Sequence, residues 1–166
     1  HENIRKKVAA TFEKNLRRIA RLAKERHIPL VLCTVASNRS DWPPLLALAP
    51  MHLPKEDYDR WLGHYYAGLD ALRTDPAGAR EALERAAAIY EDHAGLLYSL
   101  AVAVDALGEK GRARDLFARA NDLDMMPSRA KSEMNAAART VAREYGAELV
   151  DVEQAFDDLA EQGTAG

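Results

Sequence analysis

Apolar positions along the first 27 residues recur with a helical period. Val8, Phe12, Leu16, Ile19 and Ala23 follow one another at three- and four-residue spacing, with Lys and Arg filling the turns between them. This pattern predicts a helix from about Glu2 to Arg26 whose charges form the wet face of a packed element. After His27 the period changes. Ile28 to Val35 is a continuous apolar, β-branched run, the signature of a strand buried on both faces. The same order returns near the other end. Ser128 is the expected N-cap of a helix carrying Met134, Ala138, Val141 and Tyr145, Gly146 ends it, and Ala147 to Val152 forms a second short strand. A closing helix is expected from Glu153, with Ala155, Phe156 and Leu159. Two helix-strand units of this kind imply parallel strands, and two parallel strands are too few to bury both faces of a sheet. Something else must complete them.

Between the units runs a connection, Ala36 to Pro54, with Pro43, Pro44, Pro50 and Pro54, so it is expected to be ordered, with Trp42-Pro43-Pro44 as its anchor. The block that follows is all helical and repeats itself. Ala79 and Ala113, Leu83 and Phe117, Ala86 and Ala120, and Ile89 and Leu123 are each 34 residues apart. The second copy carries Leu97, Leu100, Ala101 and Val104 on one helix, a Leu107-Gly108 turn, and Ala113, Phe117 and Ala120 on the next. Small residues let two helices approach, Phe117 fills the groove between them, and Gly108 permits the tight turn.

This spacing and these residues resemble the tetratricopeptide repeat, W-x2-L-G-x2-Y followed by A-x3-F. Leu97 stands for the tryptophan, Ala101 for the glycine and Val104 for the tyrosine, and the closing proline comes late, at Pro127. In the first copy Asp75 is the N-cap and Pro76 the first residue of the second helix. The partner helix, with Trp61, Tyr65, Leu69 and Leu72, fits if its turn is one residue shorter than in the second copy. The resemblance implies protein recognition, and Tyr66 and Tyr98 on the first helices of the hairpins are the partner-facing candidates. Two hairpins fall short of an independent solenoid, so they are expected to lean on the flanking units.

At 166 residues the chain suits one domain carrying an insertion, and 48% hydrophobic with 30% charged residues places it among folded proteins. The expected division is 1–54, 55–127 and 128–166, the outer two forming one partial α/β domain. A net charge of −3 and a pI near 6.0 argue against a nucleic-acid partner. Residues 1 to 27 alone hold nine Lys or Arg against three acids, which leaves an acidic surface as a weaker third reading. No apolar run is long enough to span a membrane. Cys33 is the single cysteine, excluding an intrachain disulfide, and is expected to be a buried, inert thiol. The chain opens on His1 rather than Met, so this edge is expected to be a boundary or a processing site, and the compartment stays open.

The flanks are similar to the later part of the SGNH (GDSL-type) hydrolase fold in forms that carry a tetratricopeptide insertion. The residues concerned are Asn15-Leu16-x-x-Ile19, Pro29 to Val35, Ala36 to Pro44, and Leu149-Val150-Asp151-Val152-Glu153-x-Ala155-Phe156. The resemblance implies an incomplete parallel, flavodoxin-like sheet around the helical insertion. It also implies a parent that hydrolyses an acyl ester through a serine, with the GDS and Gly-x-Asn blocks before residue 1 and the Asp-x-x-His block after residue 166. No catalytic residue carries over to this chain. It is therefore expected to be a protein-interaction or scaffolding module binding a protein, a peptide or a neighbouring domain, with no cofactor and no metal; the alternative is a segment of a serine esterase.

Other constellations are sparse. His1, His27, His52, His64 and His93 form no metal-binding motif, Ser37 and Ser40 lie outside any nucleophile motif, and the pairs Asp57/Asp59 and Asp157/Asp158 suit helix starts and solvated faces. Gly108-x-x-Gly111 marks a hairpin turn rather than a phosphate loop. Ligands of open α/β sheets gather beyond the carboxyl ends of strands, which makes Ser37, Asn38, Arg39 and Asp41 a candidate ligand loop with Arg39 as its leading contact. Equally, Asn38 and Asp41 could stabilise a turn.

Overall fold

A computed structural model describes residues 2–126 and 128–161, so His1 and Pro127 lie outside the described residues. Seven helices and one parallel pair of strands occur among the described residues: α1 (Glu2–Glu25), β1 (Val31–Cys33), α2 (Lys55–Ala71), α3 (Pro76–Ile89), α4 (Ala94–Ala106), α5 (Lys110–Leu123), α6 (Ser132–Tyr145), β2 (Glu148–Val150) and α7 (Val152–Glu161). The chain divides into two compact units, residues 1–37 with 129–166, and residues 38–128. The proline-bearing segment thus belongs with the helical block, whereas the sequence groups it with the first αβ unit.

In the first unit β1 pairs with β2 in the register Val31 to Glu148, Leu32 to Leu149 and Cys33 to Val150. Helix α6 packs on both strands and beside α1. The core is small: Ala20, Leu32, Val141 and Ala142 are buried, with Leu16, Leu30, Tyr145 and Ala147 packed around them. Four expectations need correction. The strand is three residues long and buried on one face only, because α6 covers Leu32 while nothing described covers Val31. Cys33, on the same open face as Val31, is exposed rather than buried. The α1 stripe is only partly covered, since Leu16 and Ala20 pack inward while Val8 and Ile19 remain 52% and 53% exposed. Helix α6 begins at Ser132, not beside Ser128, and its N-cap Lys131 offers no side-chain acceptor. It ends as expected at Gly146, whose φ of 69° is the left-handed conformation glycine adopts without strain.

In the second unit α2 packs on α3, α3 on α4 and α4 on α5. The residues 34 apart share one fate. Ala79, Ala113, Leu83, Phe117, Ala86 and Ala120 are all buried, and Ile89 and Leu123 pack at the margin of the same core. Asp75 caps α3 by accepting the Gly78 N–H at 2.9 Å, as the Asp-Pro pair predicts, and Gly108 turns the second hairpin at φ 84°. The connection between α2 and α3, residues 72–75, is one residue longer than that between α4 and α5, residues 107–109, not shorter. Close approach in the first hairpin rests on Gly68, where an added Cβ would lie 2.5 Å from Leu83 Cγ. The anchor of the proline-bearing segment is Pro50, which is fully buried, rather than Trp42, which is 55% exposed.

Candidate functional site

The carboxyl ends of the strands hold the densest polar network of the first unit. Thr34 follows β1 and Asp151 follows β2. The Thr34 hydroxyl donates to Asp151 Oδ1 at 2.8 Å and accepts the Glu153 N–H at 2.9 Å, tying the first turn of α7 to the end of β1. Arg139 of α6 reaches the same place, donating from Nε to Asp151 Oδ2 at 2.7 Å and from Nη2 to Asp151 Oδ1 and Glu153 Oε2, both at 2.8 Å. The paired guanidinium and the Thr34 hydroxyl hold the Asp151 carboxyl well below the usual carboxylate range, and Asp151 raises Arg139 in turn. Asn135, also on α6, accepts the Val35 N–H at 2.9 Å and donates to the Val35 carbonyl at 3.0 Å, replacing a strand neighbour with its side-chain amide. The Asp151 carboxylate is thereby held on both oxygens by donors within the fold, and this arrangement locks α6, β1, β2 and α7 together.

The sequence-predicted loop falls on the unit boundary: Ser37 belongs to the first unit and Asn38, Arg39 and Asp41 to the second. Asn38 and Asp41 come together. The Asn38 side chain accepts the Asp41 N–H at 2.9 Å and donates to Asp41 Oδ2 at 3.3 Å, the bonding of a local turn. Arg39 is half-buried, and Ser40 presents its carbonyl to Tyr98.

In the second unit the dominant feature is a strap. Residues 38–54 run along the helices and are held at three places. The Tyr98 hydroxyl donates to the Ser40 carbonyl at 2.6 Å. The buried Asp124 carboxylate accepts the N–H groups of Leu45, Leu46 and Met126, each at 3.0 Å, and Met125 N–H donates to the Leu46 carbonyl at 3.0 Å. Pro50 and Leu53 then enter the core. With backbone fixed in this way, the strap turns apolar side chains outward, among them Trp42, Leu45, Leu48 and Met51. The Tyr98 ring also lies edge-on to Phe117 at 5.4 Å, so its ring and its hydroxyl both have contacts within the fold. Tyr66 stands 56% exposed beside Tyr65 and keeps the outward position assigned to it.

The second unit also holds an aromatic nest. His93 is buried at the start of α4, its Nδ1 accepting the Leu96 N–H at 3.0 Å, which requires the neutral ring with its hydrogen on Nε2. Trp61 and Tyr65 meet it edge-on at 5.0 and 5.3 Å, and burial pushes its pKa down. Gly95 leaves room here, since a Cβ would lie 2.8 Å from the Tyr65 hydroxyl and would push the end of that side chain aside. Among the described residues no group of three or more His, Cys, Asp or Glu side chains could hold a metal ion, and no helix is long and apolar enough to cross a membrane.

Sequence reasoning missed Asn135, Arg139, Thr34 and Asp124. A signal existed for one of them: Asn135 shares a helical stripe with Ala138 and Ala142, and a polar residue on an apolar stripe has a bonding task. The chain matches no protein-family model, and comparison with curated proteins and with solved structures finds no match.

Proposed function

We propose that the chain is a protein-interaction module of tetratricopeptide type, two helical hairpins joined to a partial α/β unit of SGNH hydrolase-like kind, with no catalysis of its own. The observation that carries this reading is the burial of residue pairs 34 apart, Ala79 with Ala113, Leu83 with Phe117 and Ala86 with Ala120, in a stack of four consecutive helices. The outward apolar strap, Trp42 to Met51, and the exposed Tyr66 of α2 supply the contact surface, aromatic and methionine side chains being favoured at recognition sites. An SGNH-type parent would place ester hydrolysis outside these residues. The test has two arms. Peptides selected from a displayed library on the intact chain should lose binding on Tyr66→Ala or Trp42→Ala with the denaturation midpoint unchanged; full binding by both variants overturns the recognition role. A fluorophosphonate probe should label no serine, and labelling of Ser37 or Ser40 in the folded chain but not in urea would instead establish an active site on that loop.

A further inference from the structure

We infer that the groove between α1 and the end of α6 is a binding site for a small phosphomonoester, its phosphate held by Lys14, Arg18 and the Tyr145 hydroxyl. The groove has a volume of about 490 Å³ and lies wholly in the first unit. Small-ligand sites run from roughly 300 to 1,000 Å³. The hairpins take no part in it, so the inference stands apart from the recognition reading. The helical repeat explains the concentration of charge. Lys14, Arg17, Arg18 and Arg21 all line the groove, and their spacing of three, four and seven residues gathers them on one face of α1 within about 10 Å of its axis. Residues 1–27 hold nine of the 23 Lys and Arg and only three of the 26 Asp and Glu, in a chain of net charge −3.

The carboxylates at the groove are already engaged. Glu13 and Glu144 both pair with Arg17, at 2.7 and 2.9 Å, which fixes its half-buried guanidinium and ties α1 to α6. Arg21 meets Glu25 only at 3.8 Å. Among the described residues Lys14 and Arg18 have no ion pair, and the hydroxyl of the half-buried Tyr145 has no hydrogen-bond partner. An exposed lysine without a partner is ordinary, but two cations and an unused hydroxyl on one groove form a donor set without an acceptor. Two uncompensated cations call for about two negative charges. A phosphomonoester carries roughly 1.5 to 2 at neutral pH, with three terminal oxygens, one each for the Lys14 ammonium, the Arg18 fork and the Tyr145 hydroxyl. A single carboxylate would leave one cation unmatched. The phosphate fills only part of the groove, so the organic portion of the ester has room over Ala10 and beside Arg21. Arg143 in the last turn of α6 offsets the negative end of that helix, which by itself weakly repels an anion. The acidic balance of the chain beyond residue 27 disfavours a long polyanion such as nucleic acid.

The test is a nuclear magnetic resonance titration of the intact, isotope-labelled chain with phenyl phosphate, inorganic phosphate and phenol, read at the amides of Lys14, Arg18, Arg21 and Tyr145. Phenyl phosphate should give saturable shifts with millimolar affinity, about threefold or more tighter than inorganic phosphate, and phenol should give none. Lys14→Ala and Arg18→Ala should each weaken binding by about fivefold or more, and Tyr145→Phe by about threefold. Their denaturation midpoints should not move, because none of the deleted groups has a partner in the fold. Lys7→Ala, which removes a cation of the same helix outside the groove, should change the affinity by less than about twofold. The absence of saturable shifts overturns the inference, as does binding undiminished by Arg18→Ala. Three other outcomes do so as well. Lys7→Ala as damaging as Arg18→Ala assigns the effect to the diffuse charge of α1, inorganic phosphate binding as tightly as phenyl phosphate means an adventitious ion only, and capture by phosphatidic acid vesicles without a response to phenyl phosphate assigns the groove to a lipid headgroup.

Discussion

Gly68 shows how one missing methyl group sets the distance between two helices. A Cβ there would meet Leu83 Cγ at 2.5 Å and Cδ2 at 2.7 Å, and Leu83 is fully buried with no room to turn away. Gly68→Ala should therefore destabilise the chain by about 1 kcal/mol or more, the overlap outweighing the better helix propensity of alanine; chemical denaturation measures it, and a gain in stability would mean the hairpin is looser than described. Phe117→Ala removes a buried ring and should cost about 3–5 kcal/mol on the same assay. His93 predicts a pH dependence. Its folded pKa lies below the ordinary value of 6.5 because burial disfavours the charged ring, and protonation would also remove the Nδ1 acceptor that caps α4. Stability is thus complete above 6.5 and falls as pH drops through that value toward the folded pKa. Urea midpoints at about pH 8 and pH 5 should differ in this sense, and His93→Leu should flatten the difference while lowering both. The role of Phe117 was legible in the sequence through the 34-residue spacing. The cap role of His93 was not, because a histidine before a helix carries no mark of the aromatic rings that will surround it.

Elements are held by side chains far away in sequence. Asp124 closes α5 and at the same time receives the strap, so Asp124→Ala leaves the N–H groups of Leu45, Leu46 and Met126 without their acceptor. The expected cost is about 1–3 kcal/mol, with faster proteolysis between Leu45 and Met51 as the direct readout; a strap equally resistant in the variant would show that Pro50 and Leu53 hold it unaided. At the strand ends Arg139 plays the corresponding part. Asp151 has a folded pKa below its ordinary 3.8, so its contribution is present above that value and is lost as pH falls beneath it. Arg139→Met should lower the midpoint at neutral pH and erase that acid-side decline in the first unit. The helices themselves were readable from periodicity, with α1 ending one residue from its expected limit and α3 opening at the Asp75-Pro76 signal. The strands were overread, because an apolar run in sequence reports what could be buried on two faces and not how many neighbouring strands are there to bury it.

At the scale of the molecule the two units differ in how much core each contains. The helical unit encloses Trp61, Leu83, Leu96, Leu97, Leu100, Val104 and Phe117, all within residues 38–128. Two hairpins are fewer than a free-standing array needs, and the strap supplies the missing cover through Pro50 and Leu53. Residues 38–128 alone should therefore melt cooperatively by circular dichroism and retain the His93 pH dependence, whereas a fragment from Lys55 onward, lacking the strap, should not; a broad melt of the longer fragment would mean the hairpins need the other unit. The first unit has a core of few residues and many apolar side chains facing outward.

Local information sufficed for the course of most helices, the turn glycines and the Asp75 cap, since each depends on residues within about one or two turns of one another, and the paired positions of the hairpins were legible from the 34-residue repeat. The course of the strap, the exposure of Cys33, the inward use of Tyr98 and the lock of Arg139 on Asp151 and Glu153 depend instead on which distant surfaces meet. Tyr98 and Ser40 are 58 residues apart and Thr34 and Asp151 are 117 apart. No spacing rule reaches that far; those pairings are set when hydrophobic burial draws the helices together and the polar groups left at the seams must find partners.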